Sequence, residues 1–152
     1  MSNTDKLHYK TCREYARLTQ EQAIVLLGIS EIATLSKYEN GHMPVNQALV
    51  ANMVKVYRVP SLAWWHLRYA NPDLAQYLPE VKAPVTDGDM MLQMEFADDD
   101  ITAIREAIKK ILKDGIVTLD EAESLKINSR LLKDTASKLI SSATYLEERE
   151  ML

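Results

Sequence analysis

Apolar residues recur along most of the chain at three- and four-residue spacing, and the alternation expected of strands is missing nearly everywhere, so the pattern predicts helices. A first helix is expected from about Asp5 to Arg17. The second follows Thr19, whose hydroxyl caps the helix while Gln22, three residues on, reaches back to complete a capping box. It carries the longest apolar run, Ala23 to Leu27, and Gly28 supplies the turn that ends it. Ser30 is the expected cap of a third helix through Tyr38, which Asn40-Gly41 closes in a left-handed turn. A fourth helix fits from about Val45 to Tyr57 after Pro44, and a short fifth from Ser61 to Tyr69 after Pro60.

Residues 71–89 hold Pro72, Pro79 and Pro84, three of the five prolines, together with Gly88. This stretch is the expected linker between a domain at 1–70 and a smaller helical module at 90–152. In that module, Asp98-Asp99-Asp100 is expected at a helix N-terminus, where the helix dipole favours negative charge. Ile101, Ile104, Ile108, Ile111 and Leu112 follow with helical period until Asp114-Gly115 stops them. Thr118 with Glu121 forms another capping box and opens a last helix to about Glu148. In this helix Leu125, Leu132, Leu139 and Leu146 recur every seven residues, with Ala122, Ser129, Ala136 and Ala143 as the alternate seam positions. Such a seam serves either a coiled coil between two chains or packing against the isoleucine stripe of the same chain. Leu131 and Ile140 widen the apolar face and suit a helix with several neighbours.

Composition places the chain among globular proteins: 47% of its 152 residues are apolar and 26% charged, with a single cysteine. No apolar run approaches the roughly 20 residues that span a bilayer, so no membrane partner is expected. The start, Met1 to Lys6, lacks the basic and apolar segments of a secretion signal, and Cys12 lacks an intramolecular partner, so the expected compartment is the cytoplasm. Net charge is −4, but unevenly distributed. Residues 1–70 carry eight Lys/Arg against five acids, a net of +3, and residues 71–152 carry ten against 17, a net of −7. That asymmetry suggests an anion-binding module joined to one that does not touch the anion.

Two short helices separated by a glycine turn, in the basic half, form the frame of a helix-turn-helix, in which the second helix enters the DNA major groove. On a helical wheel of the third helix, Ile32, Leu35 and Tyr38 fall on one side and Ser30, Ala33, Thr34 and Lys37 on the other. The second face is thin and carries one cation, as close approach to base edges requires. Glu31 lies at its margin, placed either to accept from a cytosine amino group or simply to favour the helix N-terminus.

The segment from Cys12 to Gly41, CREYARLTQEQAIVLLGISEIATLSKYENG, resembles the XRE family of phage-repressor-like regulators, above all in Leu18-Thr19-Gln20-Glu21-Gln22-Ala23 and Tyr38-Glu39-Asn40-Gly41. The chain reads as all-α from its pattern, and the resemblance, which covers about Lys6 to Tyr69, implies that it opens with a five-helix lambda-repressor-like domain. The stretch from Val59 to Leu67, VPSLAWWHL, resembles a branch found in prophages and integrative elements of Gram-positive bacteria. By that resemblance Gln20 contacts a phosphate at the start of the second helix, and the backbone amide of Asn40 another beyond the third. Arg13 and Glu39 match a structural ion pair bracing the first helix against the third. Ala33 and Lys37 match base-facing positions, Lys37 having guanine O6/N7 or a phosphate as its partner. Gly28 to Gly41 spans 14 residues, one more than is usual in the family. Counting back from Glu39-Asn40-Gly41 gives these assignments; counting forward from Gly28 shifts each by one and promotes Glu31 and Ile32.

Other chemistry finds little support. His8, His42 and His66 are widely separated, and Cys12 lacks a second thiol nearby, so neither a metal nor another cofactor is expected. Asp114-Gly115 and Glu121 have the spacing that ends a calcium loop, but Lys110 and Leu112 occupy its first ligand positions. Adjacent Trp64 and Trp65 suit the cap of a small core better than a ligand cage. Without a phosphate loop, nucleophile elbow or His-Glu metal motif, an enzyme is not expected. The expected role is a regulator of transcription, a repressor that binds double-stranded DNA as a homodimer, with Leu125, Leu132, Leu139 and Leu146 as the pairing residues. Two alternatives place function in the acidic second half: an antitoxin gripping a basic toxin, or an adaptor for a regulatory protein partner.

Overall fold

The computed structural model describes residues 8–82 and 86–150, all of whose regular structure is α-helical. The proposed start of the first helix at Asp5, and Pro84 of the linker, lie outside these residues. The helices are α1 (His8–Tyr15), α2 (Gln20–Leu27), α3 (Ile32–Glu39), α4 (Gln47–Tyr57), α5 (Ser61–Ala70), α6 (Pro72–Ala75), α7 (Asp87–Ile111) and α8 (Leu119–Glu150). They divide into two compact units, Pro79–Leu146 and the remainder, to which the end of α8 from Glu147 belongs.

Short polar signals set most boundaries in the first unit. Thr19 Oγ1 accepts from the Gln22 amide at 3.2 Å and Gln22 Oε1 accepts from the Thr19 amide at 2.9 Å, so the capping box of α2 is reciprocal. Gly28, at φ 69°, ends that helix in the left-handed region. Helix α1 stops at Tyr15 rather than Arg17, because Arg17 itself turns left-handed at φ 57° and the Leu18 amide closes back on the Arg13 carbonyl. The cap of α4 is Asn46, whose Oδ1 accepts from the Leu49 amide at 2.8 Å, while Val45 is buried ahead of the helix. Tyr9, Cys12, Ala23, Leu27, Leu35, Met53, Tyr57 and Leu62 form the centre of this unit's core. Each helix is too short to persist alone, so this burial, worth roughly 1.5–3 kcal/mol per large side chain, holds them.

Against that core lies an aromatic cluster from α1 and α5. Trp65 is stacked between His8 and Tyr69, with ring centroids 4.7 Å from each, and meets Tyr9 edge-on. Trp64 is half-buried. Tyr9 Oη and His66 Nδ1 share a 2.6 Å hydrogen bond in the interior. Burial pushes the His66 imidazole below its usual range and the Tyr9 phenol above its own, so both are neutral in the folded chain.

In the second unit two long helices pack together. Residues 71–89 are not all linker: α6 forms one turn there, and Thr86 with Asp89 makes a capping box that starts α7 at Asp87. The three aspartates at 98–100 consequently lie in the middle of α7 and not at its N-terminus; the apolar period begins earlier, with Met90 and Ala97 buried fourteen and seven residues ahead of Ile104. Asp100 pairs with Lys138 of α8, and Asp87 Oδ1 accepts from Tyr145 Oη at 2.8 Å. The second capping box holds as well, with Thr118 and Glu121 bonded reciprocally at the start of α8. The side of α8 that is buried carries Asn128, Thr135 and Ser142, whose polar atoms bond to carbonyls one turn back at 2.8–3.0 Å. Among the described residues no helix is long and apolar enough to cross a membrane, and no three His, Cys, Asp or Glu side chains gather as a metal site.

The neutral His66 makes stability depend on pH. The unfolded chain takes up a proton near pH 6.5 and the folded chain only at lower pH, so the stabilisation is complete above about 6.5 and is lost as pH falls towards the folded value. The melting midpoint is expected to drop between pH 7 and 5.5, and His66→Asn to flatten that slope; an equal slope in the variant would show that another group is responsible.

Candidate nucleic-acid interface

The outward face of α3 is set by what its other face holds. Leu35 and Glu39, four residues apart and therefore on one side, are buried to 0% and 1% exposure. Ala33 and Lys37, four apart on the opposite side, are exposed, as are Ser30 and Glu31 in the preceding turn; Thr34 is half-buried. Tyr38 is half-buried, but Ile32 is 37% exposed at the open end of the helix rather than turned inward.

Glu39 is a carboxylate deep in an apolar core, which is stable only if its charge is matched. Arg13 of α1 supplies the match in fork geometry: Nε donates to Oε1 at 2.6 Å and Nη2 to Oε2 at 3.2 Å. The third guanidinium nitrogen, Nη1, donates to the Leu18 carbonyl at 2.7 Å, so one side chain ties α1, the turn before α2 and α3 together. The hydrogen bond to Glu39 holds the guanidinium even more firmly protonated than usual. Tyr57 of α4 lies 1% exposed; burial and the nearby Glu39 charge push its phenol up, keeping it neutral.

The two residues expected to grip phosphates are differently engaged. Gln20 Nε2 donates to Glu39 Oε2 at 2.9 Å, so this side chain joins the buried carboxylate's hydrogen-bond set. The backbone N–H of Asn40 donates to the Ser36 carbonyl at 3.0 Å, and its side-chain Nδ2 donates to the same carbonyl at 2.8 Å. That amide closes α3. Gly41, at φ 69°, makes the left-handed turn beyond it.

Ser30 does not cap α3. The cap is Glu31, which makes no side-chain capping bond; its carbonyl accepts from the Thr34 amide at 3.1 Å. The turn therefore runs from Gly28 to Glu31, one residue longer than a Ser30 cap would make it. Beside it lies a polar pocket of about 390 Å³ lined by Ser30, Thr34, Tyr38, Asn46 and Asn52, among others. The Gln20–Glu39 bond and this pocket carry no local sequence signal, since both join residues from separate helices.

In the second unit the leucine heptad does not turn inward. Leu132, Leu139 and Leu146 are 43%, 41% and 52% exposed, and Leu125 is half-buried. Leu132 also lines an apolar groove of about 620 Å³ with Ile101, Ile104, Ile108 and Leu112.

Residues 10–63, a little over a third of the chain, match the family described as helix-turn-helix domain. The match spans α2 and α3 and ends within α5, so this segment of the first unit is a helix-turn-helix domain. No curated protein and no solved structure matches the chain.

Removing either partner of the buried pair leaves the other charged and unmatched, which typically costs about 3–5 kcal/mol. Arg13→Ala and Glu39→Ala are each expected to lower the melting temperature strongly, and Arg13→Met with Glu39→Leu to recover much of the loss. A thermal melt of Arg13→Ala indistinguishable from that of the parent chain would refute the bracing role.

Proposed function

We propose that this protein is a sequence-specific DNA-binding regulator of transcription, a repressor that acts as a dimer on a pseudo-palindromic operator. The observation that carries this is the exposed face of α3, where Ala33 and Lys37 stand opposite the anchored Leu35 and Glu39 in a helix-turn-helix domain. Helix α3 enters the major groove. Lys37 donates to guanine O6/N7 or to a flanking phosphate, and the small Ala33 lets the helix approach the base edges. Ser30, Glu31 and Thr34 border the same surface. Gln20, with one amide hydrogen on Glu39, has a second for a phosphate at the start of α2. A twofold dimer reads half-sites about 34 Å apart or a multiple of that, and occupancy of the operator excludes RNA polymerase.

Selection from a random duplex library, followed by anisotropy titration of the enriched sequence, tests the reading. Affinity is expected to fall steeply and linearly on a log–log plot as salt rises, because each neutralised phosphate releases counterions. Enrichment of no sequence, or binding that ignores salt, overturns it. Lys37→Ala is expected to cost about 1–3 kcal/mol and to relax selection at one base position, whereas equal weakening on every sequence would make Lys37 a phosphate contact. Pairing is placed on the exposed leucines of α8. Sedimentation of Leu132→Glu or Leu139→Glu is expected to give monomers, and dimers in both variants would move the interface elsewhere.

A further inference from the structure

The heptad of α8 has a property that bears on how two copies meet. Its eight seam positions comprise four leucines, at 125, 132, 139 and 146, and four small residues, Ala122, Ser129, Ala136 and Ala143. None of the eight is buried, although Asn128, Thr135, Ser142 and Tyr145 of the same helix are. Six of the eight are exposed and Leu125 and Ala136 are half-buried, so the seam is only partly covered within the chain, and it is continuous through Leu132 with the apolar groove along α7.

We propose that this seam takes the α8 of a second copy in antiparallel orientation; this rests on the dimer reading above and specifies it. The argument is steric. In an antiparallel pair each leucine-type position faces a small-type position of the partner, so the sum of the two residue numbers is constant along the interface. With that sum at 268, Ala122 faces the second copy's leucine at 146, Ser129 that at 139, Ala136 that at 132 and Ala143 that at 125. Every leucine meets a small residue, four times in each direction, and large against small is how facing layers interdigitate without voids. In a parallel pair in register, alanine or serine layers would face themselves and alternate with leucine layers. The small layers would stay unfilled at the separation the leucines impose. The occupant is thus another copy of this chain, whose own seam supplies the complementary sequence at full length.

Spin-label distances in the full-length chain test the orientation. Cysteines are introduced singly at Glu123 and Arg130, both exposed and off the seam. Cys12 stays in place, since it is buried and burial pushes its thiol up to about 12, and the parent chain is the control for label uptake. The antiparallel axis falls at position 134, so at about 1.5 Å per residue the two labels at 123 lie roughly 33 Å apart along the axis and those at 130 roughly 12 Å. A difference of about 20 Å between the two variants supports the proposal. Equal distances in the two variants indicate a parallel pair and overturn it, leaving the dimer itself intact. Monomers by sedimentation, with no dipolar coupling, overturn both the proposal and the dimer reading. An independent variant separates the orientations by sign. Ala136→Leu sets leucine against leucine in the antiparallel pair and is expected to weaken dimerisation about tenfold or more. In a parallel pair it would fill an empty layer and tighten association, which would also overturn the proposal.

Discussion

The buried pair between Arg13 and Glu39 is the constraint on which the first unit depends. Taking two charges out of water costs several kcal/mol each, and attraction between them offsets this only when the geometry is good and the remaining hydrogen-bonding groups are matched. Here both conditions hold: the guanidinium and carboxylate meet through two nitrogen–oxygen contacts, Leu18 accepts from the third nitrogen, and Gln20 donates to the carboxylate from the far side. An apolar contact in place of this pair would tolerate rotation of α3 about its own axis. A fork of directional hydrogen bonds does not. Because α3 has only eight residues, it has little helical stability of its own, and the direction in which Lys37 points is inherited from the anchoring of Glu39.

The second unit solves a different problem. Its two long helices bury Met90, Ala97, Ile104 and Ile111 on α7, but on α8 the buried side is largely hydroxyl and amide. Those polar groups are tolerable inside because Thr135, Ser141, Ser142 and Asn128 bond to their own helix's carbonyls. The consequence is that α8 hides its polar atoms and shows its leucines, an inversion of the usual amphipathic arrangement. Exposed apolar stripes of this length mark a surface that associates, so the composition of the buried side is itself an argument for assembly.

Much of this was legible in the sequence where the signal is local. The capping boxes at Thr19 and Thr118 need only residues three apart, and both formed; Gly28 and Gly41 likewise took the left-handed turns their positions suggested. The outward placement of Ala33 and Lys37 followed from helical period and an apolar partner face. Errors arose where two local signals competed. Ser30 and Glu31 both precede α3, and the helix begins one residue later than expected, with Glu31 as its cap despite the poorer side chain. Asp98-Asp99-Asp100 looked like a helix start, but Thr86 with Asp89 had already opened α7, and an acidic run inside a helix is compatible with it when one member finds a cation such as Lys138. The inward turn of Asn128, Thr135 and Ser142 could not be read from periodicity, because hydrophobic patterning assigns the core to the leucines.

Charge ties the two halves to the proposed role. The first 70 residues carry a net of only +3, and α3 offers a single cation, Lys37, on its exposed face. Such a surface attracts phosphates weakly, and the −7 carried by residues 71–152 adds repulsion that salt screens beyond roughly 8–10 Å. Non-specific retention on DNA would then be poor for one copy, since that term scales with the number of phosphates neutralised. A weak single-copy grip is compatible with selective occupancy when two copies are joined, because the second contact becomes intramolecular and its local concentration is set by the linkage. In the proposed dimer the leucines of α8 would be as much a part of DNA recognition as Lys37: the helix in the groove would supply the choice of sequence, and the seam the affinity that makes the choice matter.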